Sequence, residues 1–210
     1  MRTQLLCLAV IGVGAALVLS GGQDATAAIT GSAHDFKGAT WNGDGEICQP
    51  CHTPHNSAAS TVGAPLWNHE ITSATFTVYT SGTFEGGPAG QPDGVSKLCL
   101  SCHDGTVALD SFGGVTGTNF VTGSDLLGTD LSNDHPVGFT YDTSLATTDG
   151  ELFDPSNTLS GLGGNIDADM LFGDSLECAS CHDVHNAGAA DYLLVKSNAS
   201  SALCLTCHDK

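Results

Sequence analysis

The sequence predicts a mostly irregular fold, with short helices and few short strands, assembled around four copies of one cysteine–histidine motif rather than around an apolar core. Three observations carry this. Glycine supplies 27 of the 210 residues, and Thr, Ser, Asp and Asn are frequent, which is the composition of turns. Long stretches follow neither the 3.6-residue period of a helix nor the alternation of a strand. Every cysteine except Cys7 belongs to a C-x-x-C pair followed at once by histidine. A chain this rich in loops needs staples or a bound group to supply the buried contacts its own side chains lack.

The N-terminus reads as an export signal. Arg2 is followed by an apolar run from Leu5 to Leu19 and then by Ala25-Thr26-Ala27-Ala28. One basic residue, a short apolar region and an A-x-A site describe a signal peptide over residues 1–27, with cleavage after Ala27 or Ala28. The run is too short for a comfortable membrane span, and Cys7 would leave with it. The whole chain has 5 basic and 23 acidic residues. Without Arg2 and Asp24, four Lys and 22 acids remain, so the charge stays at −18. That excludes the basic footprint of a nucleic-acid binder and disfavours anionic lipid. It suits solubility and the attraction of cationic partners or metal ions.

The four motifs are Cys48-Gln49-Pro50-Cys51-His52, Cys99-Leu100-Ser101-Cys102-His103, Cys178-Ala179-Ser180-Cys181-His182 and Cys204-Leu205-Thr206-Cys207-His208. C-x-x-C-H is the attachment sequence of c-type haem. Two thiols add to the two vinyl groups of the porphyrin, and the adjacent histidine ligates iron from one face. Disulfides suit a secreted chain with an even cysteine count but give no reason for four adjoining histidines. Zinc sites also use C-x-x-C, without needing histidine after every second cysteine. A redox C-x-x-C comes singly on a thioredoxin-like pattern, which is absent. Four covalently bound haem c groups are therefore expected.

The second axial ligand decides what a haem does. Beyond Met1 the only methionine is Met170, so at least three haems cannot be His/Met. Five histidines lie outside the motifs: His34, His55, His69, His135 and His185. They suffice for bis-His ligation throughout, with one to spare. Closed, bis-His iron without the methionine that raises potential suits low-potential electron transfer, not catalysis. His55 and His185 each follow a motif histidine by three residues, too close to reach the far face of their own haem. They are expected to ligate a neighbouring haem, so the haems come in close pairs. His34, His69 and His135 share the remaining ligation. Pro136 holds His135 extended, and His34 lies on an N-terminal arm free to reach another subunit.

The chain is duplicated. C-x-x-C-H-x-x-H-N runs from Cys48 to Asn56 and again from Cys178 to Asn186; L-C-L-x-C-H-D runs from Leu98 to Asp104 and again from Leu203 to Asp209. Two haem-pair modules are expected, at residues 28–110 and 171–210, joined by a Gly/Asp/Thr-rich segment, 111–170, that carries His135. The first module is stretched: 51 residues separate Cys48 from Cys99, against 26 from Cys178 to Cys204. Within that insertion Thr75-Phe76-Thr77-Val78-Tyr79 alternates like a short strand. Ser96 and Ser201 are placed to cap helices leading into the second-kind motifs. Asn42-Gly43-Asp44-Gly45-Glu46 is too short for a calcium loop and reads as a turn.

These motifs, with Ser32-Ala33-His34-Asp35-Phe36, Ala64-Pro65-Leu66-Trp67-Asn68-His69 and Asn133-Asp134-His135-Pro136, resemble the doubled-CXXCH multihaem cytochromes, and within them the OmcE-type extracellular tetrahaem cytochromes. The resemblance implies a secreted protein at the cell surface whose identical subunits polymerise into a nanowire filament. An axial histidine, here His34, would then cross from one subunit to the next. Implied partners are the chain itself, other cytochromes and extracellular acceptors such as metal oxides. The alternatives are a soluble periplasmic shuttle and a multihaem reductase with an open haem.

Overall fold

The computed structural model describes residues 29–55, 57, 59–61, 64–87, 89–185 and 191–210. The expected signal peptide lies outside the described residues. Among the described residues no helix is long and apolar enough to cross a membrane.

Regular structure is sparse. Strands β1 (Ala59–Thr61) and β2 (Ala64–Trp67) form an antiparallel pair after the first motif. Helix α1 (Gly94–His103) carries the second motif. Strand β3 (Phe139–Thr140) pairs antiparallel with β4 (Ser175–Leu176). Between them lie helices α2 (Thr143–Asp149) and α3 (Ile166–Met170). The third motif begins as a 3-10 turn, Cys178–Ser180, and the fourth forms the short helix α4 (Cys204–Cys207).

The largest apolar cluster comes from the segment expected to be a connector. Tyr141, Leu145, Ala146, Ile166 and Met170 pack with Leu176 and Leu203. Local chemistry explains the order there. The Asp142 carboxylate accepts from Leu145 N–H at the start of α2, and the Asn165 side chain accepts from Ala168 N–H at the start of α3. These are side-chain caps of the kind that fix short helices. Gly150 ends α2 in the left-handed conformation, φ 72°, as glycine readily does. The buried Tyr141 hydroxyl donates to the carbonyl of Phe153 at 2.6 Å. A smaller cluster, Phe76, Leu100 and Leu131, lies under α1.

Two local expectations are corrected. Thr75–Tyr79 forms no strand; Thr77 makes one isolated bridge to Asp130, and the Gln91 amide occupies both backbone groups of Phe76. Ser96 lies inside α1, whose N-cap is Asp93, and Ser201 lies in a 3-10 turn ahead of α4. The Asn198 side chain accepts from Leu203 N–H instead. Asn42–Glu46 is a turn held by the buried Asn42 amide, which donates to the carbonyls of Phe36 and Glu46, each at 3.0 Å.

Met170 is thus a core residue. Replacing it with Leu is expected to leave the haem absorption spectrum unchanged and to lower stability by less than about 1.5 kcal/mol, since the volume is conserved. Ile166→Ala should cost about 2–5 kcal/mol. Thermal melts followed by circular dichroism, with a spectrum of each variant, check both.

Candidate haem-binding site

The four motifs abut in chain order. The Cys102 thiol lies close enough to Cys51 to feel its charge, Cys99 and Cys178 hydrogen-bond, and Cys181 lies beside Cys204 and Cys207. Burial pushes the Cys51 thiol up to about 11 and Cys207 to about 11. Burial, reinforced by Cys51 and Asp104, pushes Cys102 to about 12. Cys99 is held well above the ordinary thiol range, chiefly by its hydrogen bond with Cys178 and then by burial. All eight thiols are free of disulfides. Cys48 in the first motif and Cys204 in the last are exposed, while the other six thiols are half-buried.

The imidazoles are arranged in facing pairs. Ring centroids are 6.1 Å apart for His52 and His185, 6.0 Å for His103 and His34, and 6.4 Å for His208 and His135. Each pair joins one motif histidine to one distal candidate. An iron between two imidazoles, bonded at about 2 Å to each, sets opposed centroids roughly 6 Å apart. The residues therefore fit haem. Three of the motif rings are also held in one tautomer. Nδ1 of His52 donates to Pro65 O at 3.0 Å, that of His103 to Asp125 O at 2.7 Å, and that of His182 to Tyr192 O at 2.9 Å. A carbonyl on Nδ1 leaves Nε2 as the metal-binding nitrogen. The indole N–H of Trp67 is buried without a partner, with its ring edge-on to His52 at 6.1 Å. It is the kind of donor a haem propionate accepts.

Large apolar side chains that the chain leaves exposed flank these rings. Leu66, Leu126, Leu127 and Tyr192 are among them, each within two residues of a carbonyl that accepts from a motif histidine. Gly105, directly after Cys102-His103-Asp104, has φ +74°, and a Cβ there would come within 2.5 Å of Leu126 Cδ1. Only glycine satisfies both demands.

The duplication extends to the straps that hold the first and third motifs. Thr53 N–H donates to Leu66 O at 2.9 Å, and Asn68 N–H to Cys51 O at 2.9 Å. In the second copy Asp183 N–H donates to Leu193 O at 2.7 Å, and Val195 N–H to Cys181 O at 2.9 Å. Leu66 and Leu193 both adopt left-handed backbone, φ 60° and 57°, a conformation that costs a non-glycine residue roughly 1–2 kcal/mol. Pro-Leu-Trp-Asn and Tyr-Leu-Leu-Val share one residue, so this repeat could not be found by comparing letters.

Of the five distal candidates, His34, His135 and His185 face motif rings. His34 does so inside its own chain, half-buried against His103. The turn Ile29–Ser32 and the Asp35 carboxylate, which accepts from Gly31 N–H, fold the arm back. His69 is buried, with Nδ1 at 2.8 Å from Glu70 O and Nε2 at 2.9 Å from Ala108 O. A neutral imidazole can donate to only one of these carbonyls, and Nε2 also lies 3.5 Å from Cys102 Sγ of the second motif. His55 is exposed. Among the described residues no imidazole faces His182 at the separation of the other pairs.

Sequence reasoning missed two buried carboxylates. Asp104 accepts from Thr72 Oγ1 at 2.5 Å and from Thr106 N–H at 2.7 Å, fixing the chain after His103. Glu177, 3% exposed, joins the third motif to α1. Their only signal was position beside a motif.

Residues 172–210 match the family described as doubled CXXCH motif. The match spans the third and fourth motifs and supports a multihaem c-type cytochrome carrying covalently bound haem. The stretched spacing of the first two motifs distinguishes them from the matched pair. No curated protein matches the chain.

Replacing His34, His135 or His185 with Ala is expected to convert a fraction of the oxidised haem from low spin to high spin, read by electron paramagnetic resonance. His69→Gln should leave the spin state unchanged and lower thermal stability. Acid should do to the wild type what the alanine variants do. Burial, and then the neighbouring histidine, holds His34 and His208 below the ordinary imidazole range. The folded chain therefore binds protons less readily than the unfolded one. The pairs are complete above the unfolded value of about 6.5 and are lost as pH falls below it. Iron on Nε2 acts in the same direction. A spectroscopic titration should show high-spin haem growing on acidification and no change between pH 7 and 9.

Proposed function

We propose that the chain is a secreted tetrahaem c-type cytochrome that carries electrons through bis-His, low-potential haems and is not an enzyme. The observation that carries this reading is the facing of His52 with His185, His103 with His34 and His208 with His135 at 6.0–6.4 Å. When bound, each haem supplies an iron that accepts and releases one electron without opening a coordination site.

The protein's part is to hold ligands and to set spacing. His55 stands three residues after His52 just as His185 stands three residues after His182. By that reciprocity His55 serves the His182 haem, in exchange for His185 on the His52 haem. His69 is then the spare, structural histidine. Backbone carbonyls on Nδ1 keep the motif rings oriented and make them stronger donors to iron. The abutting thiols bring successive attachment points together, so electrons need cross no long gap within the chain. Exposure of Cys48 and Cys204 supports entry at one end of the series and exit at the other. The strongly acidic composition favours oxidised iron and hence low potential.

The extracellular filament is the further part of the proposal, and it rests on the resemblance to OmcE-type cytochromes. The exposed ends favour it: a head-to-tail contact joining the Cys204 end of one copy to the Cys48 end of the next would not close and would continue the series. On this reading His34 pairs with His103 of its own chain, and such a contact needs no crossing ligand from it. Partners in this reading are further copies, other cytochromes and metal-oxide acceptors.

Negative-stain microscopy of native protein sheared from the cell surface, with haem absorbance measured on the same fraction, tests both parts. Long filaments with a low-spin spectrum are expected. Discrete single-subunit particles with that spectrum would leave a soluble periplasmic shuttle. A high-spin ferric signal in the native protein would restore the reductase.

A further inference from the structure

Besides the approach of His52 to His185, the two modules meet where the N-terminus of α1 contacts the start of the third motif. The contact is made by four residues that the haem chemistry does not require, Ser96, Ser175, Glu177 and Ser180. Ser96 N–H donates to Glu177 Oε2 at 3.2 Å. In return Cys178 N–H donates to the Ser96 hydroxyl at 2.9 Å. The second carboxylate oxygen of Glu177 accepts from the Ser175 hydroxyl at 2.8 Å, and Glu177 N–H donates to Ser180 Oγ at 2.9 Å. Ser96 and Ser180 are fully buried.

This clasp does a task that α1 leaves undone. Its own N-cap, Asp93, makes no side-chain hydrogen bond to the helix, although the first N–H groups of a helix have no partner within it. Glu177 supplies the missing acceptor from 81 residues away in sequence. Gly94, with φ +47°, allows the approach, since a Cβ there would lie 3.3 Å from Glu177 Oε1. The consequence falls on the cysteines. Ser96 is three residues before Cys99 and Glu177 is one before Cys178, and these two thiols lie close enough to feel each other's charge. The clasp therefore fixes how the haem attached at Cys99 meets the haem attached at Cys178. It also leaves a carboxylate, screened from water, beside the Cys178 attachment point and one helical turn from Cys99.

We propose that Glu177 is a positioning residue that sets the contact between the second and third haems and, through its buried charge, lowers their reduction potentials relative to the outer two. The inference rests on the tetrahaem reading above. A negative charge favours the ferric state, and it acts strongly where water does not screen it. The outer attachment points, Cys48 and Cys204, are exposed and have no such neighbour in the clasp. The potentials along the chain would then dip in the middle.

The test is Glu177→Gln in the full-length, haem-loaded protein. The amide keeps an acceptor for Ser96 N–H and a polar group for Ser175 while removing the charge. Haem content per chain, low-spin spectrum and melting temperature should match the wild type. In a spectroelectrochemical titration, half of the haem should move to higher potential. The expected size is about a tenfold rise in the reduced-to-oxidised ratio at the original midpoint, which is 59 mV for a one-electron couple. Glu177→Asp, which keeps the charge but loses reach, should loosen the clasp, lower the melting temperature and retain the original midpoints. Superimposable titrations for wild type and Glu177→Gln would overturn the proposal. So would a shift of the same size in Glu177→Asp, which would assign the effect to packing. Should Glu177→Gln fail to assemble, the Asp variant decides by the same criterion. Wild-type protein without low-spin haem would overturn the underlying reading instead, before either variant is compared.

Discussion

An iron shared by two imidazoles requires two rings about 6 Å apart with their Nε2 atoms aimed at one point, and much of this backbone can be understood as meeting that requirement. Short regular elements suffice because the demand is local. A carbonyl must lie on Nδ1 of each ring, and a second histidine must arrive from elsewhere in the chain. Pro65, Asp125 and Tyr192 provide the carbonyls for the first three motifs. The distal rings come from the N-terminal arm, the segment before β3 and the residue three places beyond the third motif. Left-handed φ at Leu66 and Leu193 is strain of the sort that persists where the surroundings over-determine it. Each leucine carbonyl is pinned to the residue after a motif histidine.

Attachment chemistry was the most legible part of the sequence because it is written in contiguous letters. C-x-x-C-H needs no tertiary information, and neither does the reach argument that sent His185 to another haem, where it faces His52. His135 was legible through Pro136. The place of His34 was less legible: a chain terminus looks free in sequence, whereas the Asp35 carboxylate and the Asn42 amide fold this one into turns. His69 was counted as a ligand by residue type alone. Its carbonyl neighbours, one of them 39 residues away, leave no trace in composition.

The fold was legible as a class but not in its interior. A Gly/Asp/Thr-rich stretch with no sustained period reads as connector, yet residues 141–170 provide most of the larger apolar cluster. The helices there are seven and five residues long, too short to display a period, and side-chain caps hold them rather than propensity. The alternation at Thr75–Tyr79 misled in the opposite sense. Its extended backbone is satisfied by the Gln91 side chain and a single bridge to Asp130, so extended conformation did not become a strand.

The thiols bear on the order in which such a molecule is built. In the folded arrangement Cys51, Cys99, Cys102, Cys181 and Cys207 all lie above the ordinary thiol range, mainly through burial, or at Cys99 through the hydrogen bond with Cys178. A thiol so placed is seldom a thiolate at neutral pH and reacts slowly as a nucleophile. Thioether formation thus proceeds better before these sulfurs are enclosed. The two apolar clusters are small for 210 residues, and apolar side chains such as Leu66, Leu126 and Tyr192 remain uncovered by protein. Enclosure therefore gains little until haem is present to pack against them, as with domains that fold around a metal. Both effects run the same way. They favour attachment on the open chain, with the attached groups then completing the core; Cys178, lowered to about 7 chiefly by Cys99, is the exception.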